Sequence, residues 1–195
     1  VPQGTRAGPN CFKLLIRDLC FKLPLIKYVD DVSVVSVSHD LHDDSMQLAL
    51  CELLHWCTTN GMRLNTGKTK EMTFTFGRLV NVDDCVPLSA ESSVIERVDE
   101  FKILGVIFSS DLAWTRHVKY IVAKASKRLF ALCQLVRCGF SYDDIVTVYC
   151  SLIRPVLEYA SPVWHCGLTG VLSDEVESVQ KRCMRIIFPH LSYSD

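Results

Sequence analysis

The stretch Leu23-Pro24-Leu25-Ile26-Lys27-Tyr28-Val29-Asp30-Asp31-Val32-Ser33-Val34-Val35-Ser36-Val37 decides the fold class. Runs rich in β-branched and aromatic residues flank one acidic step, the composition of strands joined by a turn. Residues 23–28 and 32–37 are the expected strands, with Val29-Asp30-Asp31 as the turn of a hairpin. Adjacent carboxylates at a tight turn repel each other, and burial would raise one pKa. A divalent cation reverses that cost, because hard oxygen donors suit Mg²⁺, with Mn²⁺ as the alternative metal. Carboxylates fixed by rigid strands can hold two ions, about 3.5–4 Å apart, that clamp the attacking and leaving oxygens of a phosphoryl transfer. The plain alternative is a solvated turn, since Asp is common in hairpin loops.

Outward from the hairpin, residues 1–9 read as a Gly/Pro-punctuated loop. Phe12, Leu15, Ile16 and Leu19 have the spacing of one buried helical face, which predicts a helix over 11–21. Leu50, Leu53, Leu54 and Cys57 do the same over 44–59, with Asn60-Gly61 as the stop. Residues 62–64 and 71–76 are short strand candidates around Asn65-Thr66-Gly67-Lys68-Thr69-Lys70, and 101–108 is an apolar strand interrupted by Gly105. From Trp114 onward the pattern is helical: 115–137, then 142–153 up to a stop or kink at Pro155, then a last helix capped by Ser173. The class is α+β, with a mixed part over 1–110 and a helical part over 111–195.

Nearly half the residues, 49%, are apolar, enough for a sizeable core. The net charge of −1 gives no global pull toward nucleic acid, but the charge is uneven. Residues 1–100 carry 10 Lys+Arg against 14 Asp+Glu, while residues 101–195 carry 11 against 8. The most apolar region, 11–37, is broken by Lys13, Arg17, Asp18, Lys22, Lys27, Asp30 and Asp31, so no membrane span is expected. The ten cysteines form no Cys-x-x-Cys and no finger-like spacing. They are expected to be reduced thiols packed as small apolar residues. His39 and His42 flank Asp40 without a further evident ligand and read as a polar helix start. Gly61 to Thr69 imitates a phosphate-binding loop but has five residues between its glycines, where that loop needs four. Trp56, Trp114 and Trp164 read as core residues ahead of base-stacking platforms.

Residues 113–137 contain six basic residues and no acidic one. Val118, Ile121, Val122, Ala125, Leu129, Leu132 and Val136 cluster on one side of a helix. Arg116, Lys119, Lys124, Lys127, Arg128 and Arg137 centre on the other, a face suited to phosphate contacts. An ordinary solvated face is the alternative.

Four boxes then follow one another in an order that resembles the reverse transcriptases. Val1-Pro2-Gln3-Gly4-Thr5, with Gly8-Pro9 and Arg17-Asp18-Leu19, is similar to their Pro-Gln-Gly-Ser box. Tyr28-Val29-Asp30-Asp31 matches their Tyr/Phe-x-Asp-Asp box, with Tyr-Val where many LINE-type elements carry Phe-Ala. Trp56 and Asn60-Gly61-Met62-Arg63-Leu64-Asn65 with Lys68-Thr69-Lys70 resemble the Leu-Asn-x-x-Lys-Thr-Lys box. Phe101-Lys102-Ile103-Leu104-Gly105-Val106 resembles the Lys-x-Leu-Gly primer-grip box. The tail is similar to that of LINE-type, jockey-like non-LTR retrotransposons at Trp114, at His117-Val118, at Lys124-Ala125-Ser126-Lys127-Arg128-Leu129, at residues 149–164 and at Gln180-Lys181-Arg182.

The resemblance implies a partial polymerase palm followed by a helical thumb. It implies Asp30 and Asp31 as catalytic, metal-binding carboxylates, Asp30 foremost, and Lys68 near the pyrophosphate as a general acid. Gln3 and Gly4 would line the nucleotide pocket and Tyr28 would lie near the primer end. Leu104 and Gly105 would help position the primer, and the basic face of Arg116, Lys119, Lys124, Lys127 and Arg128 would ride on the duplex. It further implies an RNA template, a DNA primer, deoxynucleoside triphosphates, Mg²⁺ and an intracellular setting in cytoplasm and nucleus. Val1 is not Met, and Val1-Pro2-Gln3-Gly4 reads as a domain interior, so a partial coding region is expected. The family's earlier Asp box should precede Val1, so this chain alone is expected to be inactive. The alternative function is a non-catalytic nucleic-acid-binding remnant.

Overall fold

The computed structural model describes residues 7–38, 43–76, 85–91 and 93–190. The chain divides into two compact units, Val1–Val98 and Asp99–Asp195. The division lies ahead of the composition shift at Asp111, because the hairpin that follows Asp99 packs on the helix after it.

In the first unit, helix α1 spans Gly8–Leu15, earlier and shorter than the expected 11–21. Gly8 and Pro9 are therefore helical rather than loop. Pro9 is accommodated in the first turn, where its missing N–H has no partner to lose. Ile16 and Leu19 are buried at 5% and 2% exposure, but from the turn after α1, while Leu15 is 42% exposed. Strands β1 (Leu25–Tyr28) and β2 (Asp31–Val34) pair antiparallel in the register Leu25↔Val34 to Tyr28↔Asp31. Asp31 is thus a strand residue, and the turn holds only Val29 and Asp30. Helix α2 (Ser45–Thr59) buries Ala49, Leu50 and Cys57, with Leu53 and Leu54 partly covered. It ends at Gly61, whose φ of +63° suits a residue without Cβ.

The remaining strands of this unit are two residues long. β3 (Lys70–Glu71) pairs in parallel with β6 (Glu96–Arg97), and β4 (Ser89–Ala90) pairs antiparallel with β5 (Ser93–Val94). Residues 62–64 form no strand, and of 71–76 only Glu71 is paired. Leu50, Ala90 and Ile95 form the small core here. The expected palm sheet is therefore a set of separate two-stranded pairs among the described residues.

The second unit opens with β7 (Glu100–Ile103) and β8 (Val106–Ser109), an antiparallel hairpin where the sequence suggested one interrupted strand. Leu104 and Gly105 form its turn at φ +47° and +90°, since two positive φ values match the twist of a tight hairpin. Helix α3 (Thr115–Arg137) has the expected bounds. Val118, Ile121, Ala125, Leu129 and Leu132 are buried along it, while Val136 is 37% exposed past the end of the core. α4 (Tyr142–Val148) passes through a π-turn, Tyr149–Ile153, into α5 (Arg154–Glu158), with Pro155 in the first turn of α5. Pro155 thus produces a change of helical winding rather than a stop, because its ring excludes a regular α-turn behind it.

Short helix α6 (Ser161–Trp164) leads to α7 (Gly170–Ile187). Thr169, not Ser173, caps α7: its hydroxyl accepts from the Leu172 amide. α7 lies along α3, and Val179, Cys183 and Ile187 meet Ala125, Leu129 and Leu132 in the main core. Each Val, Leu or Ile side chain there contributes about 1.5–3 kcal/mol by leaving water.

All ten cysteines are free thiols. Cys57 and Cys183 pack in the interior as expected, and burial pushes the Cys183 thiol up to about 11. Cys11, Cys20, Cys51, Cys138, Cys150 and Cys166 are exposed instead. Among the described residues no helix is long and apolar enough to cross a membrane.

Candidate functional site

The acidic turn is built by its strands. Because Tyr28 faces Asp31 across the ladder, the chain reverses in two residues, Val29 and Asp30. Val29 takes φ +54°, a conformation that costs a β-branched residue about 1–3 kcal/mol. That strain is held by the hairpin and by Lys27, whose ammonium donates to the carbonyls of Ile16 at 2.8 Å and Leu19 at 2.7 Å. These carbonyls lie in the turn beyond the end of α1, where that of Ile16 also accepts from the Leu19 amide at 3.3 Å. A charge on β1 thereby ties the hairpin to the segment that sequence periodicity placed inside a helix. Lys27 is a positioning residue that spacing alone did not reveal.

Asp30, Asp31 and Tyr28 are all exposed, Tyr28 at 58%. Two adjacent, accessible carboxylates on a short turn present hard oxygen donors to solvent. A Mg²⁺ ion commonly keeps several waters and takes one or two carboxylates plus phosphate oxygens, so this donor set fits the metal in part. Among the described residues no third His, Cys, Asp or Glu joins them as a cluster. Lys68 sits in a turn made by Asn65, whose side-chain oxygen accepts from the Lys68 amide at 3.1 Å. Its side chain is exposed, and no hydrogen bond or ion pair among the described residues links it to the acidic turn. Gln3, Gly4, His39 and His42 lie outside the described residues.

The second unit holds the other predicted residues. The Leu104–Gly105 turn is gripped from the helical tail: Tyr159 Oη donates to the Leu104 carbonyl at 2.8 Å. A Cβ on Gly105 would lie 3.0 Å from Tyr159 Cε1, so glycine is needed for space as well as for φ. Trp164, 1% exposed, donates from Nε1 to the Tyr159 carbonyl at 2.9 Å and holds the grip in place. The Ile107 amide on β8 donates to Nδ1 of buried His117 at 3.3 Å. With Nδ1 accepting, the proton of the neutral ring stands on Nε2, which has no hydrogen-bond partner among the described residues. The rings of Trp114 and Trp164 meet His117 edge to face. Burial, helped by the charge of Lys102, pushes the His117 pKa down.

On α3, Lys119, Lys124, Lys127 and Arg137 are exposed. Arg116 forms an ion pair with Glu100 at 2.6 Å. Arg128 turns aside: its guanidinium donates to the Leu152 carbonyl, where the π-turn passes into α5. The structure thus brings Tyr28, Asp30 and Asp31 together at one hairpin tip, and Leu104, Gly105 and the α3 face together in one unit. Tyr159 was visible in the sequence only as part of the run at 149–164, and His117 only through the resemblance of His117-Val118 to the jockey-like tail.

The model of the family described as reverse transcriptase (RNA-dependent DNA polymerase) matches residues 1–108, more than half of the chain. This chain belongs to the reverse transcriptase family. Over 96% of its length this reverse transcriptase chain is 26% identical to the RNA-directed DNA polymerase from mobile element jockey of Drosophila funebris. It is 22% identical, over the same share, to the corresponding polymerase of Drosophila melanogaster. It spans 21% of the length of each of these curated relatives. Both alignments run through the reverse transcriptase match and on into the tail beyond residue 108. No solved structure matches the chain significantly.

Proposed function

We propose that the chain contributes to RNA-directed DNA synthesis by a mobile-element polymerase, with Asp30 and Asp31 in its metal site. The first unit is then part of the palm and the second part of the thumb, the exposed lysines of α3 lying on the primer–template duplex. RNA template, DNA primer and deoxynucleoside triphosphates are the partners on this reading, in an intracellular setting. The observation that carries it is the pair of accessible carboxylates at a strained, anchored hairpin tip, Asp30 in its two-residue turn and Asp31 at the start of β2. When bound there, a divalent cation supplies positive charge to phosphate oxygens. The chain's own residues do the rest. Val29 and the β1–β2 register fix where Asp30 stands, Lys27 holds the hairpin, and Lys68 is a proton donor available to a leaving pyrophosphate.

Paramagnetic Mn²⁺ titration tests the metal role without needing catalysis. Asp30→Asn removes one anionic donor and should weaken Mn²⁺ binding by about tenfold, 1.4 kcal/mol. Equal binding by the variant and the native chain would refute the assignment. A second reading, a nucleic-acid-binding module without catalysis, is favoured by the lack of a third ligand cluster among the described residues. Nucleotide incorporation by a chain extended upstream separates the two, since only the first reading makes it depend on Asp30.

A further inference from the structure

Tyr120 lies at the centre of the basic arc of α3. At 100° per residue, Arg116 and Lys127 fall about 40° and 20° to one side of it and Lys124 about 40° to the other. Lys102 reaches it from β7: its ammonium donates to Tyr120 Oη at 2.9 Å and stands 4.5 Å from the ring centroid. The Lys124 ammonium is 5.8 Å from the same centroid. Two cations are thus gathered on one phenol. Neither forms an ion pair with a carboxylate among the described residues. Glu100, the acidic residue of β7, is engaged by Arg116, and α3 itself contains no Asp or Glu.

We propose that Lys102, Tyr120 and Lys124 form a seat for one phosphodiester group of a nucleic-acid backbone. Gathering like charges costs Coulomb energy that an anion relieves. Because Oη accepts from Lys102, the phenol's own O–H is free to donate outward. The seat therefore offers two ammonium donors and one hydroxyl donor, which complements the acceptor oxygens of a phosphate. Lys102 and Lys124 also hold the Tyr120 phenol below its ordinary pKa, chiefly through the Lys102 hydrogen bond. Lys119 and Lys127 continue the charge along the same helix, which suits a polymer rather than a single ion. Lys102 stands two residues before Leu104, so a strand seated here runs beside the Leu104–Gly105 tip. The inference rests on the nucleic-acid reading above and names the contact that reading leaves open.

The test is fluorescence anisotropy of the full chain with a labelled DNA–RNA primer–template duplex across a range of KCl concentrations. In Lys102→Gln/Lys124→Gln, the slope of log affinity against log salt should fall by about 0.7–0.9, the contribution of one neutralised phosphate. Lys102→Arg/Lys124→Arg should keep the native slope, as should Lys181→Gln, which alters a lysine on α7. Tyr120→Phe keeps both charges, so it should weaken binding a few-fold at unchanged slope. An unchanged slope in the double Gln variant overturns the seat. So does inorganic phosphate that displaces the duplex equally from the native chain and from the double Gln variant when chloride of equal ionic strength displaces it from neither, since the phosphate would then be held elsewhere. A native chain that fails to bind the duplex at low salt overturns the nucleic-acid reading itself, and the seat with it.

Discussion

Gly105→Ala offers the sharpest test of how the second hairpin is held. Gly105 has φ +90°, and a Cβ there would lie 3.0 Å from Tyr159 Cε1. An L residue in the left-handed region costs about 1–2 kcal/mol. Relieving the contact moves the Tyr159 ring and stretches its 2.8 Å hydrogen bond to Leu104. That bond is worth about 0.5–1.5 kcal/mol, toward the lower end because Tyr159 is 54% exposed. The substitution should therefore destabilise the second unit by about 2 kcal/mol, near 10 °C in Tm for roughly 100 residues. The assay is urea unfolding followed by tryptophan fluorescence in a Trp56→Phe background, which leaves Trp114 and Trp164 as reporters within that unit. The contact is isolated by a double-mutant cycle. In Tyr159→Ala the ring is gone, so adding Gly105→Ala should cost only the backbone term, and the two changes should fall short of additivity by about 0.5–1 kcal/mol. Full additivity would refute the idea that Tyr159 grips this turn.

Two further outcomes follow from the anchoring groups. Lys27→Met removes the ammonium from the Ile16 and Leu19 carbonyls and should loosen the acidic hairpin by about 1–3 kcal/mol. Amide exchange at Val35, whose N–H donates to the Pro24 carbonyl, should speed up by about tenfold, and unchanged exchange would remove Lys27 from the account. His117 is pushed below its ordinary pKa of 6.5, so its contribution to stability is full above pH 6.5 and is lost as pH falls toward its folded value, because the unfolded chain takes the proton first. The urea midpoint should therefore drop between pH 7 and pH 5.5 more steeply in the native chain than in His117→Gln, and equal slopes would show that the buried imidazole is not the titrating group.

Much of the local structure was readable from residue order. The strand–acid–strand pattern gave a hairpin, the apolar spacing in α3 gave its bounds, and the absence of acids on that helix gave its basic face. The boxes that resemble reverse transcriptases lay in order along the first 108 residues, the span the family model matches. Such features persist because side-chain period and turn chemistry act over a few residues, so neighbours suffice to define them.

What periodicity misread shares a different cause. Ile16 and Leu19 carried a helical signal, yet they bury from a turn whose carbonyls meet the Lys27 ammonium of the next strand. Residues 101–108 looked like one strand because nothing nearby in sequence marks Leu104 as tolerating φ +47°. Its carbonyl partner, Tyr159, is 55 residues away. Arg128 belongs to the basic arc by spacing, but the Leu152 carbonyl at the π-turn draws it aside. Sequence alone therefore determined the acidic hairpin, the extent of α3 and which face of α3 is charged. Tertiary structure decided which carbonyls, cations and rings meet, since those pairings depend on groups brought together only when distant segments pack.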